Sequence, residues 1–290
     1  MVDVHSPTTG GGGHIHPLWY KDHITEQIFI ESWVWFAQRY RNNDTILAFD
    51  LQNEPHGKVY LQPETSARWD GSDHPNNWAK VATRTANRIQ AVHPNVLIVI
   101  EGIESYPNWG KHGSTQQVDY LDAWWGANLR GVRDYPIHLN IPNRLVYSSH
   151  DYGPAVSNQP WFYKGFNKQT LDRDVWHKFW FFVVRENIAP VLIGEWGGFL
   201  DGGPNEKWQT ALRDFIVENK IHHTYWCFNA NSGDTGGLVL GDFTTWDEQK
   251  YSLIYPALWK SKNGRFIGLD HQVPLGSNGL SLTQFNRNQH

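Results

Sequence analysis

Sulfur is scarce in this chain: 290 residues carry one cysteine and one methionine. A single thiol, Cys227, excludes an intrachain disulfide and most structural zinc sites. It lies in the apolar stretch HTYWCF and reads as a buried, inert group. No apolar run approaches the length that spans a bilayer, and the opening MVDVHSP lacks a signal-peptide pattern. Basic runs are missing as well. With 25 Lys and Arg against 29 Asp and Glu the net charge is −4, so neither nucleic acid nor an anionic membrane is an expected partner. Phosphate-cradling GxxxxGK[ST] and GxGxxG motifs are absent, as are HExxH and the GxSxG elbow. The glycines at 10–13 are followed by no lysine, and His14 and His16 have no carboxylate close by in sequence. We expect no metal and no cofactor.

Aromatic residues are abundant: 16 Trp, 12 Tyr and 14 Phe. Some of the indoles must fill a core, but Trp124, Trp125 and Trp161 stand in polar, Gly- and Pro-rich surroundings. An indole there offers a flat apolar face with one polar handle, and the C–H face of a sugar ring suits such a platform. These three are candidate sugar platforms.

Short apolar runs alternate with amphipathic stretches, the pattern of βα units on a parallel sheet. The runs predict strands at Met1–His5, Ile46–Leu51, Val96–Ile100, Arg144–Ser149, Val191–Gly194 and Thr224–Phe228. Helices are predicted over Ile24–Tyr40, Trp78–Val92, Leu171–Glu186, Lys207–Asn219 and Leu253–Ser261. Long loops follow most strands and carry the conspicuous polar and aromatic residues. No linker, repeat or charge block divides residues 1–261, which read as one β/α domain. Residues 262–290 are polar and rich in Gly and Asn, and read as a C-terminal tail on the surface. A closed (β/α)8 barrel needs eight strands, and six are legible here. Either an open six-stranded sheet or a barrel incomplete within this chain fits that count.

Two glutamates follow directly on strand-like runs: Glu54 in ILAFDLQNEP and Glu195 in APVLIGEWGG. The C-terminal ends of parallel strands are where β/α barrels do their chemistry, and a pair of carboxylates across a cleft is what glycosidic hydrolysis needs. Asn53 precedes one acid and is placed to hydrogen-bond a substrate hydroxyl. Burial beside an apolar wall would raise the pKa of Glu54 and let it donate a proton. His5, His150 and Tyr152 also fall at strand ends. Tyr152 is placed to hydrogen-bond a carboxylate and hold it ionised. Trp226, inside the last predicted strand, is either barrel core or the floor of a sugar subsite.

With those residues in place, the chain closely resembles glycoside hydrolase family 5, in its bacterial and archaeal endoglucanase branch. The matching stretches are VDVHSP, LWY at 18–20, FDLQNEPHG, VIEGIESY, WWGANLRG, NRLVYSSHDY, IAPVLIGEWGG and YWCFNANSGDTGGL. The resemblance implies a (β/α)8 barrel acting on β-1,4-glucan by a retaining double displacement, with Glu54 as acid/base and Glu195 as nucleophile. Asn53 would contact a sugar 2-hydroxyl, while His5, His150, Tyr152 and Trp226 match the family's other site positions. Secretion is implied too. The likeness starts at the family's third strand, so the first two βα units and a site arginine have no counterpart. A separate N-terminal segment is therefore an expected partner, alongside a β-glucan. A non-catalytic glycan-binding module on a broken barrel, or the same chemistry on mannan or xyloglucan, stays open.

Overall fold

The computed structural model describes residues 1–10, 12–270 and 279–288. Six strands form one fully parallel sheet: β1 (Val2–Asp3), β2 (Ala48–Asp50), β3 (Leu97–Glu101), β6 (Leu145–His150), β7 (Val191–Glu195) and β8 (His222–His223), in that spatial order. Between β3 and β6 the short strands β4 (Ser105–Pro107) and β5 (Tyr120–Asp122) make a separate antiparallel pair. The sheet curves but does not close; it is a half-barrel, an incomplete (β/α)8 barrel. Its middle strands are buried on both faces, hence the continuous apolar reading of Leu97–Ile100.

Helices cover the sheet's outer face. In α1 (Glu26–Tyr40) the Thr25 side chain caps the first turn by accepting from the Ile28 N–H, and Phe29, Ile30, Trp33 and Ala37 turn inward. α2 (Trp78–Gln90) buries Val81, Ala82, Thr85, Ala86 and Ile89 at helical spacing. α3 (Gly131–Asp134) is a single turn. Next come α4 (Lys168–Leu171), opened by a capping box between Asn167 and Thr170, a π-helical stretch Asp172–Phe181, and α5 (Phe182–Arg185). α6 (Pro204–Asn219) starts with proline at its first position and ends at Lys220, which takes the left-handed conformation with φ 54°. The aromatic load fills this layer: Trp19, Trp78, Trp176, Trp180, Trp196 and Trp208 are all fully buried.

Three sequence expectations shift. The last strand lies at His222–His223, ahead of the predicted Thr224–Phe228. The Thr224 N–H still donates to the Ile193 carbonyl, but its hydroxyl takes the Gly194 carbonyl, competing with a further rung. The helix expected at Leu253–Ser261 is α7 (Glu248–Ile254) followed by a 3-10 turn, Tyr255–Ala257. Asp247 caps it by accepting from the Lys250 N–H, and Pro256 lacks the N–H to extend it. The loop after β3 contains β4, β5 and α3, where no element was predicted. In the tail, β9 (Ile267–Gly268) pairs in parallel with β10 (Leu280–Ser281), and α8 (Leu282–Arg287) follows; residues 271–278 and 289–290 of that predicted tail lie outside the described residues. Among the described residues no helix is long and apolar enough to cross a membrane.

Candidate active site

A cavity of about 880 Å³ opens at the C-terminal ends of the strands, with His5, Asn53, Glu54, Tyr152, Glu195 and Trp226 in its wall. Glu54 comes off β2 with φ 50°, a left-handed backbone that is uncommon for a residue with a Cβ. Such conformations concentrate at functional sites. Glu195 ends β7 directly, beside the bulge where His150 pairs with it across the sheet. Gly194 just before it leaves no room for a Cβ, which would stand 2.4 Å from Ser148 Oγ.

His150, buried at the end of β6, sits among three carboxylates. Its Nδ1 is 3.0 Å from Glu54 Oε1 and 3.5 Å from Glu195 Oε2, and its Nε2 is 3.2 Å from Glu101 Oε1. One oxygen of Glu54, one of Glu195 and a His150 nitrogen all lie within 4.8 Å of one another. Retaining glycosidases hold their carboxyl groups about 5–5.5 Å apart, and inverting ones about 6.5–9.5 Å to admit a water. The nearest oxygens of the pair here lie inside the closer of these limits.

The Tyr152 hydroxyl donates to Glu195 Oε2 at 2.6 Å. Burial pushes the Glu195 carboxyl above its ordinary range, with the Glu54 charge adding to the rise. His150, the Tyr152 hydrogen bond and His5 pull the other way. Tyr152 thus acts in the direction expected from sequence, but desolvation outweighs it. Burial disfavours a charged His150, yet Glu101 and Glu195 overcome that and raise its pKa well above the usual value. His5 Nε2 lies 2.9 Å from Asp3 Oδ2 and 3.9 Å from Glu195 Oε1, and its ring stacks on Trp226 at 5.5 Å. Burial opposes the charged form of His5, and the nearby acids, Asp3 foremost, raise its pKa all the same. Asn53 Oδ1 is buried without a partner.

Trp124 and Trp125 line the cavity, and Trp125 stacks on His56 at 3.8 Å with the planes 7° apart. Trp161 does not line it. That indole is buried, edge-on to Trp124 at 5.0 Å and 5.6 Å from the Phe179 ring. Sequence reasoning passed over Glu101, Asp50 and Asp3, although each is an acid at the end of a strand run and the rule that selected Glu54 and Glu195 reaches them. It also missed Glu104 and the loop 229–234, whose contribution to the wall depends on how the chain returns.

Three donor sets could ligate a cation among the described residues: Asp3, His5 and Glu195; Glu54, His150 and Glu195; and Asp3, Asp50 and Glu101. The first two share Glu195, whose oxygens the reaction pattern above needs free.

An unclosed β/α barrel with two close-set glutamates at its strand ends is the frame of a carbohydrate-cleaving hydrolase. The chain belongs to the cellulase family, glycosyl hydrolase family 5, whose model matches residues 1–232. Endoglucanase G of Acetivibrio thermocellus is 51% identical, with 98% of this chain and 54% of that protein aligned. The major extracellular endoglucanase of Xanthomonas campestris is 33% identical over 89% of this chain and 49% of its own length. The chain thus spans about half the length of the curated relatives it matches. Among solved structures, the hyperthermophilic endocellulase of the archaeon Pyrococcus horikoshii superposes with a TM-score of 0.74 at 38% identity, covering 84% of this chain and 66% of that one. A cellotetraose complex of the same endocellulase matches at 37% identity and TM-score 0.74, over 88% of this chain and 68% of that one.

Proposed function

We propose that the chain carries the catalytic machinery of a secreted, retaining endo-β-1,4-glucanase. The observation that carries this reading is the close approach of the Glu54 and Glu195 carboxylates, and the cellotetraose complex of the archaeal relative supports the glucan. In the first step a Glu195 oxygen attacks the anomeric carbon as the C1–O bond to the leaving sugar breaks. Glu54 gives its proton to that departing oxygen. In the second step the Glu54 carboxylate takes a proton from water, the water oxygen attacks C1, and the Glu195 ester bond breaks to release sugar and restore both acids. His150 holds positive charge between the two carboxylates, Tyr152 fixes the attacking one, and Asn53 takes the 2-hydroxyl. Trp226, braced by His5, forms the floor of the subsite, with Trp124 and Trp125 extending the sugar track.

The same reading includes a closing segment. β1 is paired on one side only, and an apolar hollow of about 660 Å³ runs between it and α1, past Val2, Val4, Trp33 and Phe36. A polypeptide segment that adds two βα units there would complete the barrel, and we assign it as the partner of this chain besides glucan. Secretion is inferred from the Xanthomonas relative, a major extracellular endoglucanase.

The test is hydrolysis of soluble cellulose against mannan by the chain with and without such a segment, beside Glu195→Gln. Cleavage of cellulose that the variant loses by at least about a thousand-fold, with sugar binding kept, is the expected result. Undiminished turnover by the variant would remove the nucleophile assignment, and preference for mannan would remove the substrate.

A further inference from the structure

Glu101 takes no part in the two displacement steps, yet it is the most completely buried carboxylate of the site, with no exposed surface. It ends β3, with its two oxygens turned to different tasks. Oε2 accepts the Glu54 backbone N–H at 2.7 Å, and Oε1 stands 3.2 Å from His150 Nε2. Room for Oε2 exists because residue 126 is glycine; a Cβ there would lie 2.1 Å from it. The Trp78 indole N–H donates to the Glu101 carbonyl at 2.9 Å and fixes the strand end. Burial drives the Glu101 carboxyl up to about 7, and His150 opposes that rise.

We infer that Glu101 is the positioning residue of the acid/base. It pins the left-handed turn that presents Glu54, and it fixes the His150 ring so that Nδ1 faces both reacting carboxylates. The inference rests on the assignment of Glu54 as acid/base. A backbone amide held by a carboxylate is a charge-assisted bond, and it is the kind of constraint that keeps φ near 50° at a residue that bears a side chain. The imidazole is held from the other side by charge at contact distance: Glu101 Oε1 lies 3.2 Å from Nε2 without completing a hydrogen bond, and Nδ1 faces Glu54 and Glu195. The charged and titratable groups around this pair are Asp3 and His5 from the β1 end, Asp50 on β2, Glu54 beyond it, and Glu195 on β7.

The experiment compares the chain with Glu101→Gln by 15N spectra of the histidine rings and by exchange of the Glu54 amide. In the unaltered chain the His150 ring titrates well above the ordinary histidine value. In the variant its titration falls by about two pH units, and the Glu54 amide loses protection at least tenfold. Unchanged titration and protection would overturn the inference, and neither reading depends on turnover. Should Glu101→Gln fail to fold, Glu101→Asp is read by amide protection: the shorter side chain withdraws from the Glu54 N–H, and protection drops. The inference fails if protection is kept in that variant. Glu54→Gln, assayed on cello-oligosaccharides, tests the underlying assignment separately. Normal turnover there sinks the acid/base role and leaves the Glu101 geometry to its own measurements.

Discussion

The middle of the sheet and its β1 end are built to different standards. Around β3, β6 and β7 the strands run five or six residues, are paired on both sides and hold ionisable groups in full burial. At the β1 end a two-residue strand has one neighbour, and α1 beside it leaves Trp35 65% exposed. The contrast separates two functions of the fold. The centre confines charge, while the β1 end presents apolar surface. Glu101, His150, Tyr152 and Glu195 belong to the first region, while Glu54 comes off β2 at the border of the two, where the Asn53 N–H donates to the Val4 carbonyl.

Predictions that would break this division begin with chemistry at the centre. Glu54→Gln should lower kcat on cello-oligosaccharides by about a hundred- to ten-thousand-fold with the melting temperature nearly unchanged. A large fall in melting temperature would mean that the reacting acid is also a structural support. Next is Trp33→Ala in α1, which empties a buried site next to Phe49 and removes the indole bond to the Leu51 carbonyl. It should cost about 3–5 kcal/mol by urea unfolding; a cost under 1 kcal/mol would show that the β1 end is already loose.

The third concerns pH. Glu101 and Asp151 are fully buried, and burial is the main cause that lifts both to about 7; His150 opposes it at Glu101 and the Trp208 indole bond opposes it at Asp151. A carboxyl whose folded pKa is raised binds more protons folded than unfolded, so its stabilising effect is complete below the unfolded pKa and is lost as pH rises through the folded one. Stability should therefore fall between about pH 4 and pH 7, with each group contributing on the order of 3 kcal/mol. Asp151→Asn, which can still accept the Trp208 N–H, should flatten that slope in melting curves taken at pH 5 and pH 8. An equal slope in the variant would refute the assignment.

Tyr152→Phe comes fourth. Removing its bond to Glu195 raises the nucleophile's pKa further, so the acid limb of the rate profile moves to higher pH and kcat falls about tenfold. An acid limb that stays in place would show that His150 alone sets the charge. Last, Trp35→Ala should change stability by no more than about 0.5 kcal/mol, because its indole faces solvent. A larger effect would mean that the β1 end is covered in solution.

Much of the centre was legible from sequence. Val191–Gly194 and Arg144–Ser149 read as buried strands because their runs are short, apolar and end in polar residues, and β7 and β6 lie within a residue of them. The acids at 54 and 195 stood out for the same reason. What was not legible depends on the way the chain returns. β4 and β5 are tied by Ser105, whose hydroxyl donates to Asp122 across the pair, a contact that local periodicity cannot register. Trp161 stood out because its sequence neighbours are polar, whereas its packing against Trp124 and Phe179 depends on the tertiary fold. Glu101 ends a strand run as Glu54 and Glu195 do, and what the stretch VIEG does not reveal is its contact with the Glu54 backbone.

The brevity of β1 has a consequence for solubility. A free strand edge is a template on which another chain can add rungs, and long flat edges seed fibres. Only Val2 and Asp3 are in register on this one, too few to hold a stranger's backbone. The unfinished side of this protein is therefore greasy without being a template: contacts made there in crowded solution would be brief clumping through side chains, reversible on dilution, and would not grow into ordered fibrils.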